Sequence, residues 1–495
     1  FRPGSIANIS KGDMEKNNDG NATRNKKRKR NFIKEYVKDF LINSNLHGLK
    51  YIGEKERTIV ERIFWFFVFV CCVVLCAGLI RNVWIKWDTN PVIVSFAEYP
   101  TPVWQIPYPA VTICLETKAM QRKFNFTKYY HMYNDPETYY NLTEEEGGNL
   151  ILVYSVSPNL TEVFFGCKWK DVPGEDCSHL FSNIITEEGI CYTFNTLSAE
   201  ELFRTEKYLN TDYLYLHHNH TAESWSLEEG YAPETPIETY PHRGSVSGFG
   251  AKSGLTFLMK SDIEDEDFLC RGPVQGFKVL LHNPAELPRL SQQYFRSALN
   301  HEVVVSVKPR IFTTSEGLRS YDPARRKCYF PSERYLQYFK IYTQTNCEME
   351  CISNFTYARC GCVHFGMPRK LELANIEVEA AIGQSGDLKN KRAREVSQQC
   401  QCLPACTSID YEAETSQAIY DWDALSFNDK TKYINTSAGR VMIFFKEAQF
   451  ITNRRSELYG LTDFLASCGG LLGLFMGFSI MSVVEIVYFL TLRFV

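Results

Sequence analysis

Two stretches break the alternation of polar and apolar positions along this chain. Ile63 to Ile80 runs 18 residues without a charge, and Phe464 to Val484 runs 21. At 1.5 Å per residue, each crosses a hydrocarbon core of about 30 Å as a helix, the first with help from its flanks. Apolar runs of this length favour a bilayer span over a buried soluble helix. The first run also starts too deep and extends too far for a cleaved signal peptide. The pattern predicts transmembrane helices over 63–86 and 461–490, flanking a large polar block at 87–460.

Inside that block the periodicity is mixed. Strand patterns fall at Val92–Phe96, Ala110–Cys114, Ile151–Val156, Gly276–Leu281, Val303–Val307 and Val441–Phe445, and helical patterns at Ser198–Tyr208, Pro331–Cys351 and Ile376–Ser397. The fold class expected is therefore an α+β membrane protein: two transmembrane helices around a large disulfide-rich domain.

Charge sets the orientation. Residues 1–62 carry 15 Lys+Arg against 8 Asp+Glu, with KKRKR at 26–30. The positive-inside rule puts this arm in the cytosol. The second span then returns 491–495, with Arg493, to the same side and leaves 87–460 outside the cell. KKRKR also suits an anionic lipid surface. With 44% hydrophobic residues and a net charge of −4, most of the chain belongs in water, and nucleic acid is not an expected partner. The chain opens on Phe1 and closes soon after the second run, so further sequence is expected at both ends.

Cysteines and glycan acceptors agree with an extracellular block. Six Asn-x-Ser/Thr acceptors lie in it: Asn125, Asn141, Asn159, Asn219, Asn354 and Asn435. Of 17 cysteines, 13 lie there too, as expected of an oxidising compartment. Cys347 and Cys351, four apart on a predicted helix, share a face. Cys400 and Cys402, two apart on an extended segment, share one as well. Nested bridges Cys351–Cys400 and Cys347–Cys402 fit that geometry, with Cys328 and Cys406 able to close an outer rung, although spacing alone leaves connectivity open. A metal site at Cys360-Gly-Cys362 or Cys400-Gln-Cys402 is the lesser reading, because structural zinc sites use wider spacings. His217, His218 and His220 form an exposed loop more readily than a sensor. DIEDED at 262–267 reads as a solvated loop ahead of a cation site. No P-loop, Gly-x-Ser-x-Gly or His-Glu-x-x-His motif supports an enzyme, and no resident cofactor or metal is expected.

The second apolar run is not a plain anchor. Gly469, Gly473 and Gly477 recur every four residues, a smooth stripe that lets another helix approach. Glu485 places an ionisable group at its inner end. On one straight helix, Gly477 and Glu485 lie about 80° apart, but Gly477 and Ser479 about 160° apart. For both Gly477 and Ser479 to line one pathway, the helix must open at 477–479, which glycine permits.

These residues resemble the second transmembrane helix of the degenerin/epithelial sodium channel superfamily, with its Gly-x-Ser filter. The insect pickpocket branch is the nearest match. His47-Gly48 resembles the family's gating motif. YPAVTIC (108–114), CYTFN (191–195) and the cysteine set from 328 to 406 recur in the family's order. The resemblance implies a homo- or heterotrimer in the plasma membrane, among lipids, that conducts Na+. It implies a filter of Gly477, Phe478 and Ser479, and a pore and gate lined by Ala466, Gly469, Gly470, Gly473, Ser482 and Glu485. It implies bridges Cys114–Cys191 and Cys167–Cys177 beside Cys328–Cys406, Cys347–Cys402 and Cys351–Cys400. The extracellular fold it implies has a β-rich palm and ball with helical thumb, finger and knuckle. The expected function is a subunit of a sodium-permeable, amiloride-sensitive-type channel opened by a chemical, osmotic or mechanical stimulus outside the cell. A non-conducting two-span receptor for lipid or peptide ligands is the alternative. This sequence departs from the family at Phe478, where a small residue is usual in acid-sensing members, and at Arg325, where a tryptophan is usual. It also departs in the cysteines that would pair with Cys360 and Cys362, leaving Cys270 as a possible partner for one of them.

Overall fold

In the computed structural model, residues 35–492 are described except 55, 90–91, 135–154, 175–176, 205–220, 223, 246–247, 268, 270–272, 369–399 and 423–435. The chain divides into two units, residues 94–456 and residues 1–93 with 457–495.

The unit 94–456 is built on two sheets. The smaller has five strands in the order Phe295–Ser297, Phe277–His282, Ala110–Leu115, Gly189–Phe194 and Phe181–Thr186, all antiparallel. AVTICL and FKVLLH are buried at every position, which explains their nearly unbroken apolar sequence. The larger sheet has eight strands around His301–Thr314. That strand buries Val303, Val305 and Val307 and turns the residues between them outward, the period of a half-buried strand. It runs parallel to Thr436–Phe445 and antiparallel to Ser408–Ile419.

The sequence motifs at 108–114 and 191–195 sit side by side in this core. Cys114 is bonded to Cys191, and Thr112 Oγ1 lies 3.0 Å from Thr193 Oγ1. Asn195, at φ 63°, donates its amide to the Tyr108 carbonyl at 2.6 Å. Tyr108 is fully buried; its hydroxyl donates to the Ile443 carbonyl (2.6 Å) and accepts from Leu255 N–H (3.2 Å). Its ring meets Trp169 edge-on at 4.8 Å.

The expected helix Pro331–Cys351 is displaced: the observed helix is Gln344–Cys360. Thr343 caps it, accepting from Asn346 N–H at 3.1 Å, and Gly361 stops it at φ 76°. Residues upstream are held by tertiary bonds instead. Glu350 accepts from the Gln337 and Tyr338 N–H groups at 2.9 and 2.8 Å. Of the expected helix Ser198–Tyr208, the described part is a single turn, Ala199–Leu202, after which Phe203 bridges Phe339; residues 205–208 lie outside the described residues. In the expected strand Ile151–Val156, residues 155–156 are helical and 151–154 lie outside the described residues. Ile376–Ser397 also lies outside them.

Among the described residues there are five disulfides: Cys114–Cys191, Cys167–Cys177, Cys328–Cys406, Cys347–Cys402 and Cys351–Cys400. Residues 400–404 have no regular structure, so the extended strand expected there is absent and the helix is bridged to an irregular segment. Cys328–Cys406 flanks a short bridge between Tyr329 and Ala405. Cys360 and Cys362 are unbridged and exposed, and Cys270 lies outside the described residues.

DIEDED is solvated only in part: Glu264 is exposed, but the second half of the motif turns inward. Asp265, Glu266 and Asp267 are buried. Asp267 accepts from Thr127 N–H at 2.9 Å, which anchors the helix Phe126–Asn134.

The second unit holds helices 35–43, Leu49–Gly53, Ile59–Thr89, Leu461–Met476 and Ile480–Leu490. Ile59–Thr89 has 31 residues and buries only Cys76 of them. It is long and apolar enough to cross a membrane. Trp84 and Trp87 pack on Phe464 at 5.7 and 5.3 Å, joining this helix to Leu461–Met476.

Candidate functional site

The second apolar run is not one helix. Leu461–Met476 and Ile480–Leu490 meet at 71°, and the link between them is Gly477, Phe478 and Ser479. Gly477 adopts φ 62°, ψ 23°, the left-handed conformation that a residue with a β-carbon resists. Its N–H bonds the Gly473 carbonyl at 2.9 Å and Phe478 N–H bonds the Leu472 carbonyl at 3.3 Å, closing the first helix. Ser479 is extended and starts the second helix through a reciprocal cap. Its Oγ accepts from Ser482 N–H (3.4 Å), and Ser482 Oγ accepts from Ser479 N–H (3.2 Å).

The expected pore residues are distributed along this broken element. Ala466, Gly469 and Gly470 lie exposed on its first half, and among the described residues nothing beyond the adjoining residues and backbone of its own helix stands within 4 Å of a β-carbon placed on either glycine. Ser482 is buried beneath the cap, and Glu485 follows on the second half.

The N-terminal arm reaches this link. His47 N–H donates to the Met476 carbonyl at 2.9 Å, and its imidazole lies 2.7–2.8 Å from where a Gly477 β-carbon would stand. Gly48 adopts φ 87°, which accounts for glycine after the histidine. Tyr36 donates to the Phe489 carbonyl, and Phe40 packs edge-on against the Phe489 ring at 5.3 Å. Asn45 donates to Glu485. Sequence reasoning missed Tyr36, Phe40 and Asn45. The i, i+4 spacing of Tyr36 and Phe40 was the signal for an aromatic helix face.

A separate set of ionisable groups lines a cavity of ≈ 350 Å³ in the unit 94–456, among them His282, Glu286, Arg310 and Asp410. Desolvation, and then the Asp410 charge, pushes Glu286 up to about 7. Desolvation lowers His282 to about 4. Its Nδ1 lies 3.0 Å from the Asn283 carbonyl and so carries the proton, and its Nε2 lies 2.8 Å from Thr112 Oγ1.

Of the glycan acceptors, Asn125 accepts from Lys128 N–H at 2.8 Å, Asn159 begins the turn Leu160–Val163, and Asn354 lies within Gln344–Cys360. Asn141, Asn219 and Asn435 lie outside the described residues, as do KKRKR, the three histidines at 217–220 and Arg493.

A family model described as amiloride-sensitive sodium channel matches residues 40–152 and 141–489. Pickpocket protein 28 of Drosophila melanogaster is 32% identical, over 93% of this chain and 79% of the relative. Sodium channel protein Nach of the same organism is 22% identical, over 92% and 87%. Acid-sensing ion channel 2 of Mus musculus is 24% identical, over 77% and 64%.

Proposed function

This chain belongs to the amiloride-sensitive sodium channel family, and on that premise we propose that it is one subunit of a sodium-permeable, amiloride-sensitive cation channel opened by an extracellular stimulus. The helix Ile59–Thr89 is the first span and the broken pair Leu461–Leu490 the second, with both termini cytosolic and 94–456 outside the plasma membrane. Three copies, identical or related, surround the path of Na+.

The observation that carries this reading is the break at 477–479. Unwound backbone within an apolar run is tolerated only where it lines water or is buried in protein. Around an axis, backbone carbonyls and the Ser479 hydroxyl replace part of a sodium ion's hydration shell. The open space beside Gly469 and Gly470 suits close approach of a second copy's helix. Glu485 supplies an acid at the cytosolic mouth, and a ring of such acids attracts cations. Opening widens the constriction between Ala466 and Gly473.

Whole-cell recording from cells expressing the chain, alone or with related subunits, tests the proposal. A cation current that amiloride blocks and that Ser479→Trp abolishes or makes less selective is the expected result. An unchanged current in Ser479→Trp removes the filter assignment. Surface protein without current in every combination favours the non-conducting receptor.

A further inference from the structure

The arm that meets Gly477 also holds the carboxylate of Glu485. Helix 35–43 ends with Ser44 N–H bonded to the Phe40 carbonyl at 2.9 Å. Ser44 Oγ then accepts from Leu46 N–H at 3.3 Å, which turns the chain at Asn45. From that turn the Asn45 backbone N–H reaches Glu485 Oε2 at 3.4 Å, and its Nδ2 reaches Oε2 at 3.3 Å and Oε1 at 3.5 Å. Contacts independent of Glu485 fix both sides of the turn. Phe40 packs on Phe489 before it, and His47 N–H holds the Met476 carbonyl after it.

We infer that Asn45 is a positioning residue for Glu485, and that it limits how tightly this carboxylate holds a divalent cation arriving from the cytosol. The inference rests on reading Glu485 as the inner acid of the pore. An ionised carboxylate offers about four lone-pair sites. The Asn45 donors reach both oxygens at the long end of hydrogen-bonding distance, 3.3–3.5 Å, and so bias the orientation of the group. A hard divalent ion requires several oxygen ligands at close range and often takes a carboxylate through both oxygens. A carboxylate already bonded on each oxygen is a poorer ligand for such an ion, yet it keeps the negative charge that attracts a monovalent one. The amide therefore favours passage over block.

The test uses inside-out patches from cells expressing the conducting assembly, with Mg2+ on the cytosolic face as the probe. Asn45→Leu removes the side-chain donors and is expected to lower the half-blocking Mg2+ concentration by about tenfold, the scale of hydrogen bonds to a charged group. Asn45→Gln keeps an amide and is expected to keep the wild-type block. Glu485→Gln is expected to weaken block and to erase the difference that Asn45→Leu makes. If Asn45→Leu cannot reach the surface, Asn45→Ser is measured instead, with a shift in the same direction. An unchanged block in the Asn45 variant, or an equal shift in the Glu485→Gln background, overturns the inference while leaving the inner acid in place. A Glu485→Gln channel with unaltered block and ion preference removes the inner-acid reading itself.

Discussion

The His47 imidazole stands where a side chain on Gly477 would have to go, 2.7 Å from the position of its β-carbon. Two conditions thus require glycine at 477: its left-handed φ of 62° and this neighbour. Gly477→Ala carries about 1 kcal/mol of backbone strain in addition to displacing the ring. The expected outcome is a channel of altered ion preference, read as a shifted reversal potential at normal surface abundance. Adding His47→Ala relieves the collision but not the strain, so the double variant recovers only in part. Full recovery assigns the effect to the ring alone.

Ser479 and Ser482 cap the second half-helix together. Ser479→Ala removes one acceptor and costs about 1 kcal/mol at the start of that helix. Sodium-over-potassium preference, measured from bi-ionic reversal potentials, is expected to fall. Ser479→Asn retains a capping acceptor and is expected to lose less. Equal selectivity in all three proteins separates the cap from ion choice.

In the unit 94–456, Tyr108→Phe leaves the Ile443 carbonyl and the Leu255 N–H without the hydroxyl that joins them. A buried group left unpaired costs about 1–3 kcal/mol. The thermal midpoint of the purified full-length protein is expected to drop, while the ring contacts with Trp169 and Phe445 persist. An unmoved midpoint means water takes the place of the hydroxyl.

The stability of that unit is expected to depend on pH through two groups of opposite sign. Glu286 sits at about 7 when folded, above its ordinary 4.5. Its contribution is full below about 4.5 and is lost as pH rises through 7. His282 sits at about 4, below its ordinary 6.5, so its contribution is full above about 6.5 and is lost as pH falls through 4. Chemical unfolding of the full-length protein from pH 4 to 8 checks both. Glu286→Gln should flatten the slope between 4.5 and 7, which for one group is on the order of 1 kcal/mol per pH unit, and leave the acid limb intact. A slope retained in that variant assigns the neutral-pH limb to other groups.

Some of this architecture was legible because short-range chemistry dictates it. The opening at 477–479 was legible only on a condition: if Gly477 and Ser479, about 160° apart on a straight helix, both line one pathway, the helix must open between them, and glycine permits it. The β-branched run Val303–Val307 reads directly as a strand, although its three consecutive valines do not show which face is buried. Other features depend on partners far along the chain. Nothing adjacent to Pro331 reveals that residues 337 and 338 give their N–H groups to Glu350, so the local pattern places the helix too early. DIEDED has a solvent-facing composition, yet Thr127, 140 residues away, turns Asp267 inward. Asn45 has no local signature at all, because its role arises only when the chain returns with Glu485.

The bridges Cys347–Cys402 and Cys351–Cys400 act as a clasp on the chain between them. Both ends of that excursion are covalently fixed to the helix Gln344–Cys360, and Cys328–Cys406 fastens the exit once more. Insertions or deletions inside it need not shift Ser408–Ile419 against His301–Thr314, since the register of those strands begins after the clasp. A change of length between Cys360 and Cys400 is thereby absorbed inside a covalently closed loop and is not passed on to the strands that follow it.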